Sequence, residues 1–371
     1  MRILVVNVGS SSLKLRLLDH ADATLAEREL ASPRGCFDED EVRATLDAGL
    51  DQADAVGHRI VHGGARFRSA VRVDADVERA LRELVDLAPL HQPKSLAALD
   101  VISGLLPHLP AVACFDTAFH ATLPASASTY AVPRAWRERW GVRRYGFHGL
   151  SHAYASRRAS KLLGVAVEQL RIVTCHLGAG ASLAAVRGGR SIDTTMGFTP
   201  LEGLVMATRC GNIDPGLLLW LLEGHRLGIG EMSEALEHES GLAGLAGSAD
   251  MREILPRAGR GEPDARLALD VYVHHLRAGI AAMAAALGGL DVLVFTGGVG
   301  ENAPTIRAAA AEHLGMLGIT IDPSTNAAAE GDTVVSPPGA AVATVVVGAR
   351  EDLEIARQVR DVLSGVAEPR A

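Results

Sequence analysis

Residues 3–19 read ILVVNVGSSSLKLRLLD, and their polar members gather about one tight turn: Asn7, the serines at 10–12 and Lys14. Together with the backbone N–H groups of the turn, an amide, three hydroxyls and an ammonium can cradle a phosphate. Taken alone, the turn serves equally well as a plain Gly-Ser connector. Two more Gly-rich turns, 178–180 and 297–300, also follow directly on apolar runs. Glycine lets backbone N–H groups approach an anion that a side chain would hold off, and a helix N-terminus adds favourable potential. Three such turns on one chain point to a nucleotide. The scaffold is not a familiar one, however. No Walker A run occurs, and Gly298-Val299-Gly300 lacks a third glycine at the dinucleotide fingerprint spacing. Protein-kinase signatures are absent too.

Cations for a second, anionic substrate are placed apart from other charges. Arg59, His148 and Arg209 lie beside glycines or prolines in uncharged, apolar surroundings. The competing reading of Arg59 is a side chain reaching from a strand to a surface salt bridge. His148 and His152 have the i, i+4 spacing of a metal pair, but no glutamate follows His148 and no third ligand is evident, which argues against zinc. His274 and His275 must point in different directions and read as core or surface residues.

The elements that position these groups alternate in type. Runs at 3–6 and 13–18 flank the first turn, with Leu13, Leu15 and Leu17 facing one way and Lys14 and Arg16 the other, as in a β-hairpin. A strand is expected at 23–30, a short helix at 38–50 and a buried strand at 55–61. The spacing of Val77, Leu81, Leu84 and Val85 predicts a helix over 74–87 capped by Asp74. Pro89 and Pro93 fix a bend before a helix at 94–106. A strand at 110–115 delivers Asp116 at its C-terminal end, where open α/β sheets bind ligands. Residues 119–145, rich in Pro, Ser and Arg, read as an irregular junction or lid. A helix follows to about 163. The strand–turn–strand layout then returns at 170–186, a weak internal repeat that suggests two related halves. Residues 194–212 read as a loop with a single cation, Arg209. Helices are expected over 216–222, 231–239 and 264–287, strands at 291–295 and 342–347, and, after the Gly-rich turn 296–302, a helix to about 314. An amphipathic helix at 350–363 closes the chain. The alternation means α/β layers.

The chain's 371 residues allow two domains, and 48% apolar content allows a sizeable core. A net charge of −8, from 36 basic and 44 acidic residues, argues against a nucleic-acid partner. The four cysteines show no CxxC spacing, so neither a disulfide framework nor a zinc ribbon is indicated, and a cytoplasmic setting fits. The first apolar run is broken at Asn7, unlike a signal peptide. The uncharged stretch 278–290 is well short of the ~20 residues that span a bilayer, so no membrane partner is expected.

The stretches NVGSSSLK, HRIVHGG, FDTAFH, YGFHGLSH, HLGAGASL, GFTPLEGL, TRCGNIDP, GGVGEN and REDLEIA together resemble the acetate kinase family, in the family's order and over nearly the whole chain. The resemblance implies a two-domain actin-like ATPase (ribonuclease H-like) fold of duplicated architecture, with ATP in the interdomain cleft. It implies a first domain of 1–117 plus 352–371 and a second of 118–351 that binds nucleotide and forms a homodimer. Asn7 and Glu351 match positions that hold Mg2+, which Mn2+ can replace, and Lys14 matches an ATP-binding position. His176, Leu177, Gly178, Ala179 and Gly180 match the second phosphate loop. Asp250, Met251 and Arg252, with Gly298, Val299, Gly300, Glu301 and Asn302, match the adenosine and ribose region. Arg59 matches the residue that binds the acyl substrate, with Val61, Leu90, Phe147 and Pro200 around its methyl group. His148 and Arg209 match transition-state stabilisers, and Asp116 the residue assigned to proton transfer. This chain departs from the family pattern at Gln92, Ala179, Cys210, Asn212 and Arg350.

The implied reaction is ATP + acetate = ADP + acetyl phosphate, and its chemistry is consistent. A carboxylate with a pKa of about 4 is already a nucleophile at neutral pH. Catalysis then rests on positioning and charge neutralisation, for which the arginine fork suits planar oxyanions. A general-base role for Asp116 is superfluous on this logic, so holding Mg2+ or its water, or orienting Arg209, is the expectation. Propionate or butyrate differs from acetate by methylenes worth only about 1–3 kcal/mol each, so the acyl chain is left open. A nucleotide-gated actin-like switch would have no use for Arg59, His148 and Arg209 beside an apolar pocket. A sugar kinase would want carboxylates and amides there.

Overall fold

The computed structural model describes residues 1–9, 12–31, 37–224 and 226–366. The chain forms two compact units. The first comprises Met1–Thr122, Phe147–Tyr154 and Arg350–Ala371, and the second Leu123–Gly146 and Ala155–Ala349. The short stretch Phe147–Tyr154, with His148 in it, clusters with the first unit rather than with its sequence neighbours.

The first unit is built on six strands: β1 (Ile3–Val8), β2 (Ser12–Leu18), β3 (Thr24–Ala31), β4 (Ala55–Ile60), β5 (Val71–Arg72) and β6 (Ala111–Phe115). Their order is β3-β2-β1-β4-β6-β5. The three pairs β1–β4, β4–β6 and β1–β2 set the frame, the first two parallel and the third an antiparallel hairpin. β1 and β4 are buried along nearly their whole length because the sheet is covered on both faces. Val42, Leu46, Ala98 and Ile102 pack on one face, and Ile355, Ala356 and Val359 on the other. Complete burial of a side chain such as Ile355 stabilises by about 1.5–3 kcal/mol. The helix Glu351–Leu363 lies so close to β4 that a Cβ on Gly57 would sit 2.5 Å from Ile355 and 2.7 Å from Val359.

The second unit repeats the plan. Its strands are β7 (Arg171–Leu177), β8 (Ala181–Arg187), β9 (Arg190–Thr194), β10 (Val292–Thr296), β11 (Thr333–Val334) and β12 (Ala343–Val346). The order β9-β8-β7-β10-β12-β11 is that of the first sheet, strand for strand, with the same parallel and antiparallel pairings. Even the register irregularity recurs four residues after the hairpin, at Leu17/Leu18 and at Ala185/Val186. The internal repeat read from the two hairpins therefore extends to the whole sheet. The long helix Pro263–Leu287 turns Tyr272, Leu276, Ile280 and Met283 into this unit's core.

Several local expectations are revised. Residues 119–145 are not irregular: Ala118–Thr122 is a 3-10 turn, and Ala125–Ser128 and Arg134–Trp140 are helices, each begun by a proline. Proline's fixed φ suits a helix start, so Pro124 and Pro133 open helices there rather than exclude them. The helix at 38–50 breaks after Thr45 into a wider turn, because Gly49 is left-handed with φ +110°. The helix begun by Asp74 ends at Arg82, and the next begins at Gln92, with Pro93 inside its first turn. The third Gly-rich turn is itself a helix, Gly297–Asn302, followed by Pro304–Ala311. Gly241–Ala246 and Met251–Gly259 are helices that sequence periodicity did not reveal. Among the described residues, no helix is long and apolar enough to cross a membrane.

Candidate functional site

In the first unit the candidate residues gather at the C-terminal ends of β4 and β6. Arg59, near the end of β4, directs Nε and Nη2 at Asp116, with Nη2 2.6 Å from Oδ2, and Nη1 at Asn7 Oδ1, 3.1 Å away. Asp116 follows β6, its backbone N–H bonded to Ile60 O at 3.0 Å and its side chain 3% exposed. Burial alone would lower the Arg59 pKa, but the Asp116 charge and hydrogen bond, with the Glu351 charge, hold it above its ordinary value. Among the described residues, three of the five guanidinium N–H groups are thus engaged, and one on each Nη has no partner. Asp116 is the partner of Arg59, whereas the carboxylate beside Arg209 is Glu237. Of the two roles expected of Asp116, holding Mg2+ or its water and orienting an arginine, the second falls on Arg59 here rather than on Arg209.

The backbone of Asp116 also places His148. Gly149 N donates to Asp116 O at 2.8 Å, and a Cβ on Gly149 would meet that oxygen at 2.2 Å. His148 immediately precedes it with φ +56°, a costly conformation for a residue other than glycine and one that tends to mark functional sites. Phe147 is buried, lies edge-on to His62 and accepts a hydrogen bond at its carbonyl from His120 Nε2 at 2.9 Å. Val61 is half-buried, while Leu90 is 44% exposed at the bend before the helix Gln92–Leu105. Gln92 is fully buried and pairs with both backbone groups of His62 at 3.1 Å, so it pins the strand end that carries Val61.

Asn7 and Glu351 are the further oxygen donors that act on Arg59 besides Asp116. Glu351 opens its helix, and its neighbour Arg350 turns away from it to fork onto Asp352, which Arg16 also binds at 2.8 Å. Burial would raise the Asp352 carboxyl, but these two arginines hold it below its usual range. Lys14 Nζ lies 3.7 Å from Glu29 in a pair more than half exposed. Such a pair is worth about 0–1 kcal/mol, so the ammonium is readily given to another anion. The hairpin turn closes with Gly9 N on Ser12 O at 2.8 Å, and Ser10 and Ser11 lie outside the described residues.

In the second unit three pieces meet. The β7–β8 turn closes through Gly178 N to Gly180 O at 3.0 Å, and Ala179 O accepts from Ala207 N at 3.0 Å. That bond joins the turn to the loop of Arg209. The helix Gly297–Asn302 begins against the same strand: Gly297 has φ +79°, and a Cβ there would lie 2.9 Å from Leu177 O. Arg209 donates from Nη1 to Pro200 O at 3.0 Å and lies 3.6 Å from Glu237 through Nε. Burial lowers its pKa, with Glu237 opposing. Asn212 closes the loop by pairing reciprocally with the backbone of Gly203 at 2.9 and 3.0 Å. Asp250, Met251 and Arg252 make mainly local bonds: Asp250 caps the helix Met251–Gly259 and is forked by Arg252. Glu301 Oε1 accepts from Ala349 N at 2.9 Å, and Asn302 Nδ2 donates to Gly298 O at 2.9 Å. Gln92 was noted in the sequence only as a departure, and Glu237 carries no motif that would have found it. Among the described residues no three His, Cys, Asp or Glu side chains cluster as a metal site.

Two α/β units on one strand plan, each with a glycine turn after its first strand, define a two-domain protein of the actin-like ATPase fold. The comparisons narrow the class. The sequence profile of the acetokinase family matches residues 37–357. An acetate kinase from Deinococcus deserti is 48% identical over 393 residues, covering 98% of each chain. The crystal structure of Porphyromonas gingivalis acetate kinase superposes with a TM-score of 0.90 at 37% identity, over 98% of this chain and 99% of that one. A propionate kinase from Francisella tularensis gives 0.89 at 35% identity, over 96% and 98%. The chain belongs to the acetokinase family.

Proposed function

We propose that this protein is an acetate kinase, transferring the γ-phosphoryl group of ATP reversibly to acetate. The observation that carries this reading is the half-buried Arg59 guanidinium, held by the buried Asp116 and by Asn7, with two N–H groups unpartnered among the described residues. A carboxylate docks on those groups without any proton transfer. One of its oxygens forms the new P–O bond while the bond from phosphorus to the β,γ-bridging oxygen breaks and ADP leaves with those electrons. His148 and Arg209 donate hydrogen bonds to the equatorial oxygens in flight, where charge stabilisation is worth most. Asp116 acts by fixing Arg59. Val61, Leu90, Phe147 and Pro200 wall the methyl group. Lys14, His176 to Gly180, Asp250 to Arg252 and Gly298 to Asn302 bind ATP.

Asn7 Oδ1 and the Glu351 carboxylate are hard oxygen donors, both linked to Arg59, and a pair of protein ligands suits Mg2+, which keeps waters and phosphate oxygens as its remaining ligands. Asn7 and Glu351 hold the ion, which when bound neutralises phosphate charge. The homodimer forms through the helix Pro215–Glu223, which has no buried residue although Leu217, Leu219 and Trp220 are 45, 57 and 54% exposed. Free Cys114, Cys175 and Cys210 accord with a cytoplasmic location.

The test is hydroxylamine trapping with ATP, Mg2+ and acetate, propionate or butyrate in turn. Hydroxamate from acetate is the expected result, and none from any acid overturns the proposal.

A further inference from the structure

The loop over 194–202 holds two carbonyls with consequences beyond itself. Pro200 O accepts from the Arg209 guanidinium at 3.0 Å. Gly197 O accepts from Tyr145 N at 3.0 Å and Gly146 N at 3.2 Å, immediately before Phe147 and His148. One carboxylate secures this loop. Glu202 accepts from the Tyr130 hydroxyl and from Arg144 Nη2, the latter at 2.5 Å. Arg144 Nη1 reaches the carbonyls of Thr194, Thr195 and Met196 at 3.2, 3.1 and 3.0 Å. Tyr130 Oη accepts from Phe198 N at 2.9 Å, and the Arg144 guanidinium lies 5.5 Å over the Tyr130 ring. Gly197 sits beneath this group. A Cβ there would lie 1.7 Å from Glu202 Oε2 and 2.1 Å from Tyr130 Oη. Burial, reinforced by Glu202, pushes the Tyr130 phenol up, so it stays protonated and donating.

We infer that Glu202, acting through Tyr130 and Arg144, is a positioning residue for phosphoryl transfer. It fixes Pro200 and thereby Arg209, and it fixes Gly197 and thereby the backbone that runs into His148. Its effect falls on the two groups that meet the phosphoryl group in flight, and an error of 1 Å in such groups costs about a hundredfold in rate.

The inference rests on the acetate kinase reading, and the experiment separates the two. Wild type, Glu202→Gln and Tyr130→Phe are compared for kcat, for KM with acetate and with ATP, for ADP binding by calorimetry and for thermal midpoint. Glu202→Gln keeps an acceptor for Tyr130 but loses the charge that holds Arg144. A fall in kcat of about tenfold to a hundredfold is expected, with the KM for ATP and the ADP affinity within about twofold of wild type. Tyr130→Phe is expected to lose about threefold to tenfold. A folded Glu202→Gln with wild-type kcat overturns the inference. So does a loss shared equally by ADP binding and turnover, which marks a general structural role. If Glu202→Gln does not fold, Tyr130→Phe decides, and unchanged kcat there overturns it. An inactive wild type would instead sink the acetate kinase reading.

Discussion

The two sheets share a strand plan and differ in what stands at matching points. Aligned from their hairpin tips, Val8–Leu13 and Leu177–Ala181, Asn7 corresponds to His176 and Arg59 to Thr296. Extended through β6 and β12, the same register sets Asp116 against Ala349 and His58 against Phe295. The first unit thus carries an ion pair on a buried carboxylate where the second carries a threonine and an alanine. Its counterpart in the second unit is a surface of glycine and backbone, at Gly178, Gly180 and Gly297. A carboxylate needs a fixed cation, whereas a polyphosphate is held by many backbone donors. On the proposed reading, one duplicated frame serves two ligands by exchanging side-chain charge for backbone access.

The largest effect is expected at Arg59. Arg59→Leu leaves Asp116 buried and unpaired, and kcat/KM for acetate should fall by about 10³-fold or more, with a stability loss of about 3–5 kcal/mol in denaturant titration. The matching break in the second unit is Gly297→Ala. Its added Cβ meets backbone at 2.9 Å in a left-handed conformation, so stability should fall by about 1–3 kcal/mol. The KM for ATP should rise about tenfold while that for acetate stays constant, as steady-state kinetics with each substrate varied will show.

A third contrast is acid stability. His58 is 1% exposed, and neither ring nitrogen finds a partner among the described residues. Burial pushes its pKa down to about 3 from an ordinary 6.5. The fold therefore holds neutral imidazole, and its stability is intact above pH 6.5 and is lost as pH falls toward 3. By pH 5 the loss from this one group is about 2 kcal/mol. His58→Phe, which installs the residue of the matching place, should flatten the slope of unfolding free energy against pH between 6.5 and 5. The smallest effect belongs to Thr296, whose buried hydroxyl also finds no partner among the described residues. Thr296→Val removes an unmet donor and should leave thermal stability unchanged or raise it by up to about 1 kcal/mol.

Much of this was legible in the residues. The alternation of Leu13, Leu15 and Leu17 revealed the first hairpin, and its echo at 170–186 revealed the repeat. The isolation of Arg59 and Arg209 among uncharged neighbours marked them as placed. The partners of those arginines were less accessible. Glu237 lies 28 residues from Arg209 on a different element, and only folding brings it near. Tyr130 and Arg144 went unnoticed in a stretch read as an irregular junction, and Glu202 in one read as a loop with a single cation. Pairings across 58 and 72 residues leave no local pattern. The Asp116–Arg59 bond was missed for the same reason: strand order, not sequence proximity, makes neighbours of β4 and β6.

The central claim is that a carboxylate held by Arg59 attacks the γ-phosphorus directly. Acetate labelled with 18O in both oxygens, incubated with ATP, Mg2+ and the protein and followed by 31P NMR, tests it. The account predicts an acetyl phosphate resonance displaced by a bridging 18O, lost in Arg59→Leu. Release of unlabelled inorganic phosphate with no acetyl phosphate would contradict it.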